Sequence, residues 1–136
     1  MTFQRILIAV DATELGPRVA RVGFDLATTL GAVTALVHVI GPAMTTVDEQ
    51  GAEVVEQAAI QLLAEIATRA ATAPTDRFAP FGDRAEQIVK TARDWRADLL
   101  VVGTRDRSKL LRMFMGSVTD AVVGHAPCPM LVVPVE

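Results

Sequence analysis

Residues 98–123, DLLVVGTRDRSKLLRMFMGSVTDAVV, carry the clearest signals of the fold in this sequence. The apolar run LLVV ends at Gly103, a pattern that favours a strand buried on both faces of a parallel sheet. A polar, basic segment follows, and Gly116-Ser117 then opens a helical pattern. A buried strand, a loop and a helix form most of a β-α-β unit, so we expect the flanking sequence to alternate in the same way.

The predicted alternation extends over the whole chain. Expected strands are residues 3–10, 32–40, 77–81 and 98–103, with a last strand from Pro129 to Val135. Expected helices are residues 15–30, 49–72, 83–95 and 117–125. This order predicts one α/β domain, residues 1–136, with an open five-stranded parallel sheet and helices on both faces. The strand at 77–81 contains Pro80, which favours an edge of the sheet.

The helical segments carry apolar stripes that predict which face of each helix packs on the sheet. In the first helix the predicted stripe consists of Leu15, Val19, Val22, Leu26 and Leu30. In the second helix it consists of Val55, Ala59, Leu62, Ile66 and Ala70. Asp83 stands directly before the third helix and is its predicted N-cap.

Composition and charge exclude several classes of function. The net charge is −3 and no cluster of lysine or arginine stands alone, so no nucleic-acid partner is expected. The single cysteine, Cys128, has no partner for an internal disulfide, and the cysteine and histidine spacing predicts no metal set. The apolar run at residues 3–10 is too short for a signal peptide or a membrane span, so we expect a cytoplasmic protein with no membrane partner.

Polar features follow the two most apolar strands, at the edge where open parallel sheets bind ligands. Asp11 follows the first strand, and Gly103 ends the fourth. Gly116 precedes a helix whose first amides lack partners and attract an anion. Ser117 and Thr119 add hydroxyl groups beside those amides. The pattern therefore indicates a candidate phosphate site.

The same residues also have a purely structural interpretation. A glycine after a strand is a common turn, and Gly-Ser at a helix start is a common cap. The patterns G-x-x-x-x-G-K-[ST] and G-x-G-x-x-G are both absent from the sequence. For a bound nucleotide, Asp11 would accept hydrogen bonds from the ribose, and Val39 and Val102 would form the walls of the adenine site.

The chain resembles the universal stress protein family over nearly its whole length. The resemblance is carried by ILIAVDATE at residues 6–14, ALVHVI at 35–40, ADLLVVGTR at 97–105 and MGSVTDAVVGHAPCPMLVVP at 115–134. It implies the strand order 3-2-1-4-5 of the adenine nucleotide alpha hydrolase-like fold, and homodimers formed through the final strand. An apolar edge strand independently favours pairing with a second copy of the chain.

One branch of this family binds ATP through the motif G-x2-G-x9-G-[S/T]. Gly103, Gly116 and Ser117 match that motif in type and spacing, whereas Asp106 replaces its middle glycine. The other positions that resemble the family's nucleotide contacts are Asp11, Val39, Val102, Val118 and Thr119.

Asp106 bears on which nucleotide the loop would hold. Aspartate tolerates the left-handed backbone better than most residues, so the loop conformation is accessible to it. Its charge opposes a triphosphate, by a few kcal/mol at about 4 Å near a surface. A bridging Mg²⁺ reverses that sign, because carboxylates and phosphates are both its ordinary ligands. ATP and AMP, with or without Mg²⁺, therefore stay open as alternatives.

The sequence predicts a regulatory domain that binds an adenine nucleotide in a stress response. The pattern positions no general base, Walker lysine or triad, so no catalytic residue is expected and any ATP hydrolysis should be very slow. The alternative is a nucleotide-free, dimeric stress-response or interaction module of the same fold, which Asp106 favours. His38 and His125 are interpreted as structural.

Overall fold

Strands and helices alternate along the chain as the hydrophobic pattern predicts. The computed structural model describes residues 2–11, 16–41, 48–71, 73–104 and 117–134, with the backbone alone described for 117–120. Its elements, in chain order, are β1 (Arg5–Ala9), α1 (Gly16–Leu30), β2 (Val33–Val37), α2 (Glu49–Ala70), β3 (Thr75–Phe78), α3 (Arg84–Trp95), β4 (Leu99–Thr104), α4 (Ser117–His125) and β5 (Met130–Pro134).

The sheet has five strands in the order β3-β2-β1-β4-β5, and every neighbouring pair is parallel. This confirms the predicted topology, with β1 at the centre and β3 and β5 at the edges. Ile6, Leu7 and Ile8 of β1 are completely buried. An unbroken apolar run suits this strand, because helices cover both faces of the sheet.

Two core clusters lie on opposite faces of the sheet. On one face, α1 and α2 pack against Ile6 and Ile8. On the other, α3 and α4 pack against Leu7 and Leu100. Successive β1 residues enter different clusters because side chains alternate along a strand. Burial of each such aliphatic side chain contributes roughly 1.5–3 kcal/mol, so both layers stabilise the central strand.

The face that α1 presents to the sheet differs from the predicted stripe. Val22 and Leu30 are 37% and 44% exposed, and the buried residues are Gly16, Val19, Ala20, Gly23, Phe24 and Ala27. A Cβ atom built on Gly23 would lie 2.5 Å from Ile8 Cδ1, so the helix approaches β1 through a small residue. The predicted stripe is confirmed at Val19, which is buried, and Leu26 is partly buried against the core, but it was wrong at Val22 and Leu30. The close approach at Gly23 turns a neighbouring face, with Ala20, Phe24 and Ala27, towards the sheet. Leu15 of that stripe lies outside the described residues.

The α2 helix begins as predicted but ends two residues early. The Asp48 side chain caps it by accepting a 2.8 Å hydrogen bond from Gly51 N–H. Ala71 is its extended C-cap, and Pro74 follows shortly after, as is common beyond a helix end. Ala59 and Ile66 of the predicted stripe are buried together with Leu63, whereas Leu62 is half-buried. The helix is therefore rotated slightly from the predicted orientation.

The third strand occupies Thr75–Phe78, so the predicted bounds of 77–81 were wrong, although its edge position is confirmed. Thr75 Oγ1 accepts a 2.7 Å hydrogen bond from Thr34 Oγ1 of β2, which is buried. The strand therefore begins at a polar residue, Thr75, which the hydrophobic pattern does not mark as part of a strand. Pro80 lies beyond the strand, and its carbonyl accepts from Ile40 N–H at 2.8 Å.

Three side chains hold the amino edge of the sheet, at the opposite end from the predicted site. The Arg5 guanidinium lies 4.1 Å from the ring centroid of Trp95, and its Nε and Nη2 donate to Trp95 O at 3.0 and 2.8 Å. The Asp98 carboxylate accepts from the N–H groups of Gln4 and Arg5 at 2.8 and 2.9 Å. These contacts join the start of β1 to the end of α3 and the start of β4.

As predicted, Asp83 caps α3, accepting from Glu86 N–H at 3.0 Å.

Candidate functional site

The carboxyl ends of β1 and β4 separate from each other. Their ladder ends at the pair Ile8↔Val101 in the described residues. Beyond this point β1 stays with β2, since Val10 N–H donates to Val37 O at 2.9 Å. Over the same length β4 stays with β5, as far as the pair Thr104↔Pro134. A crevice therefore opens between the carboxyl ends of β1 and β4. Open parallel sheets bind ligands in crevices of this kind.

Asp11 is half-buried and lies on the β1 side of this crevice. The carbonyl groups of Val10 and Asp11 both have close neighbours. The carbonyl of the preceding residue, Val10, is 3.1 Å from His38 Nδ1. The carbonyl of Asp11 itself faces the first residue of α1, where a Cβ atom on Gly16 would lie only 2.6 Å away. A side chain at Gly16 would therefore collide with the Asp11 backbone.

Val39 and Val102, the predicted walls of the adenine site, belong to the same core cluster beneath α3 and α4. They are 5% and 6% exposed, so nearly all of each side chain is buried in that cluster. Gly103 is half-buried beside them, and Thr104 is 5% exposed. Thr104 is not among the predicted site residues, and its one signal in the sequence is its position directly after Gly103 at the end of a buried strand.

The N-terminus of α4 stands at the same edge as Asp11. Because β4 and β5 are parallel, α4 has to return from the carboxyl edge of the sheet to the amino edge. The helix begins at Ser117, as predicted, and packs into the core through the fully buried Val122. Its first amides have no partners within the helix and carry the positive end of the helix dipole.

Several predicted site residues lie outside the described residues or are described by their backbone alone. Asp106 and Gly116 lie outside the described residues, and Ser117, Val118 and Thr119 are described by their helical backbone only. The structure therefore brings Asp11, Val39, Val102, Gly103 and the start of α4 to one edge of the sheet, and the contribution of the loop stays a prediction.

The titratable groups in the part of the chain that the structure describes form no candidate metal centre. That part contains no group of three or more histidine, cysteine or acidic side chains that could hold a metal ion. Burial raises the pKa of the Cys128 thiol, and the nearby Asp98 carboxylate raises it further. Cys128 precedes β5 at the amino edge of the sheet, away from the crevice. Of the helices within the described ranges, none is long and apolar enough to cross a membrane.

This architecture is that of a doubly wound α/β domain, with an open parallel sheet and a crevice beside its central strand. Within that class, the chain belongs to the universal stress protein family, whose model matches residues 2–134. A universal stress protein of Thermus aquaticus, encoded in the 3′ region of a QAH/OAS sulfhydrylase gene, is 33% identical to it over 138 residues. That match covers 96% of this chain and 98% of the relative.

Solved structures of the family have the same fold. A universal stress protein in complex with cAMP matches with a TM-score of 0.73 at 20% identity, covering 98% of both chains. A universal stress protein of Archaeoglobus fulgidus in complex with dAMP matches with a TM-score of 0.65 at 20% identity, covering 100% of both chains. These likenesses establish the architecture, including the helices on both faces of the sheet.

Proposed function

We propose that this chain is a regulatory domain that binds an adenine nucleotide, ATP or AMP, at the carboxyl ends of β1 and β4. The observation that carries the proposal is the separation of β1 from β4 beyond Ile8 and Val101. Asp11 and the N-terminus of α4 stand at the crevice edge that this separation creates. Doubly wound sheets take nucleotides in such crevices.

Each part of an adenine nucleotide has a chemical counterpart at this edge. The Asp11 carboxylate is an acceptor for the ribose hydroxyl groups. Val39 and Val102 are apolar residues of one cluster at this edge and would pack against the purine. The phosphates are attracted by the unpaired amides at the start of α4, and Ser117 and Thr119 supply hydroxyl donors in that first turn. Gly103, Gly116 and Val118 would complete the phosphate cradle through their backbone.

The ligands of two structural relatives support this assignment. One relative was solved with cAMP and the other with dAMP. Both ligands contain adenine, a pentose and a single phosphate group, so they support the binding of an adenine mononucleotide by this architecture.

Asp106 decides how much phosphate charge the site accepts. Its carboxylate stands in the motif position where the ATP-binding branch has glycine. In the absence of a metal, repulsion between Asp106 and the β- and γ-phosphates favours AMP over ATP. If Mg²⁺ joins the carboxylate to the phosphates, ATP binding recovers, and the metal then supplies charge neutralisation.

Two measurements test the proposal. Denaturation of the purified protein, followed by mass spectrometry of the supernatant, identifies any nucleotide that was retained. Calorimetric titration of the nucleotide-free protein with ATP, ADP and AMP, with and without Mg²⁺, then gives the affinities. A dissociation constant below about 1 mM, equivalent to about −4 kcal/mol, supports the proposal. No heat of binding with any of the three at millimolar concentration would refute it.

The nucleotide would act as a regulatory ligand in a cytoplasmic stress response, with very slow hydrolysis at most. The second candidate function is a nucleotide-free dimeric interaction module of the same fold, which Asp106 favours.

Both candidate functions include a homodimer formed through the last strand, from Pro129 to Val135. The described part of this strand has β4 as its one neighbour in the sheet, and its Leu131 is 36% exposed. An apolar sheet edge of this kind can pair with the same edge of a second copy.

A further inference from the structure

The His38 side chain extends the hydrogen bonding between β1 and β2 beyond their ladder. Val10 N–H donates to Val37 O, and the Val10 carbonyl then lies 3.1 Å from His38 Nδ1. A carbonyl oxygen can only accept, so the hydrogen must be on Nδ1 of the imidazole. In the neutral ring the lone pair is then on Nε2. One contact therefore selects the tautomer of His38 and holds the Val10 carbonyl.

The two peptide groups that flank Asp11 are constrained from opposite sides. The first contains the Val10 carbonyl, which His38 holds from the β2 side. The second contains the Asp11 carbonyl, against which the start of α1 packs so closely that only glycine fits at Gly16. Peptide groups are planar, so their two orientations set the direction in which the Asp11 side chain leaves the backbone. His38 and Gly16 therefore constrain the direction of the Cα–Cβ bond of Asp11.

His38 occupies a different face of the sheet from the apolar walls of the crevice. Val37 and Val39 both belong to the cluster beneath α3 and α4, whereas Leu36 belongs to the cluster beneath α1 and α2. Side chains alternate along extended backbone, so His38 is on the α1 and α2 face. The base would lie against Val39, on the other face, and His38 acts on a ligand through Asp11.

We infer that His38 is a positioning residue that orients Asp11 for recognition of the ribose hydroxyl groups. This inference rests on the proposed nucleotide function. It assigns His38 a role in the selectivity of the site, with adenine and phosphate contacts left to other residues. Loss of the His38 contact should therefore weaken the discrimination between a ribose and a sugar without hydroxyl groups.

Two substitutions separate this role from general stability. His38→Asn places an amide N–H at the position of Nδ1 and can still donate to the Val10 carbonyl. His38→Gln places its amide nitrogen at the position of Nε2 and cannot reproduce the contact in the same geometry. The measured quantity is the ratio of dissociation constants for 2′,3′-dideoxy-AMP and AMP, determined by calorimetry on folded protein. A global loss of stability does not change this ratio.

We expect a ratio of about tenfold or more in the original protein, because a hydroxyl group donating to a carboxylate is a charge-assisted hydrogen bond. His38→Asn should keep the ratio within about twofold of that value, and His38→Gln should lower it to about threefold or less. A ratio near one in the original protein, an unchanged ratio in His38→Gln, or an equal loss in both variants would overturn the inference.

A ligand-free measurement separates this inference from the proposed function. Long-range ¹H–¹⁵N NMR spectra of the histidine rings report the tautomer of His38 directly. The Nδ1–H tautomer, with an Asp11 amide resonance that moves in His38→Gln and stays in His38→Asn, supports the positioning role even if no nucleotide binds. The Nε2–H tautomer, or an Asp11 resonance that ignores both substitutions, overturns it.

Discussion

Asp11 and Thr104 each stand three residues beyond Ile8↔Val101, the last ladder pair between β1 and β4. The two central strands are in register up to that pair, and then each continues with its outer neighbour. The crevice between Asp11 and Thr104 is thus a consequence of strand order, because the chain leaves β1 towards one edge of the sheet and leaves β4 towards the other.

The first prediction concerns the ribose acceptor. Asp11→Ala should lower the affinity for AMP by about 10- to 100-fold, since a hydrogen bond to a charged group contributes about 1.5–3 kcal/mol. Calorimetric titration measures the change. Asp25→Ala, which removes an exposed carboxylate from α1, is the matched control and should leave the affinity unchanged. Equal affinities in Asp11→Ala and the control would place the ribose elsewhere.

The second prediction concerns the replaced glycine of the loop. Asp106→Gly should raise the affinity for ATP without Mg²⁺ by about tenfold or more, because it removes a negative charge from the triphosphate site. AMP is the internal control, since it lacks the β- and γ-phosphates and should gain less. The gain for ATP should shrink when Mg²⁺ is present. If ATP binds equally well to both proteins, Asp106 does not face the phosphates.

The third prediction concerns the contact between α1 and β1. Gly23→Ala should lower the free energy of unfolding by about 1–3 kcal/mol, because the new Cβ would lie 2.5 Å from Ile8 Cδ1 and 2.6 Å from Ile8 Cγ1. Gly124→Ala is the matched control in α4, where a Cβ atom meets nothing within 4 Å. There the helix propensity of alanine should raise stability by up to about 1 kcal/mol. Denaturant unfolding followed by circular dichroism distinguishes the two; a neutral or stabilising Gly23→Ala would contradict this packing.

The fourth prediction concerns the proposed dimer. Leu131→Lys should weaken self-association by about tenfold or more, because a charged side chain on an edge strand opposes edge-to-edge pairing. Sedimentation velocity over a range of concentrations measures the change. Val54→Lys replaces a valine that is 67% exposed on α2 and is the matched control. A dimer that is insensitive to Leu131→Lys would have to form through another surface.

Patterns within single segments of the sequence predicted which strands and helices form. They predicted less well which face of a helix is buried. The apolar run LLVV and the capping Asp83 are local signals, and the strand and helix that they predicted are present. The α1 stripe was right at Val19 and wrong at Val22 and Leu30, because these two residues satisfy helical periodicity as well as Ala20 and Ala27 do. The distance between α1 and β1, set by Gly23, decides which set is buried.

Hydrophobic periodicity and local capping are enough to predict the alternation of strands and helices, the buried central strands and the places of Asp11, Gly103 and Ser117 at element ends. These signals act over a few residues. The end of the β1–β4 ladder, the hydrogen bond between Thr34 and Thr75, and the contact between His38 and the carbonyl before Asp11 depend instead on the folded chain. These contacts join residues far apart in sequence, and they depend on the register between strands and on the packing of α1 against the sheet.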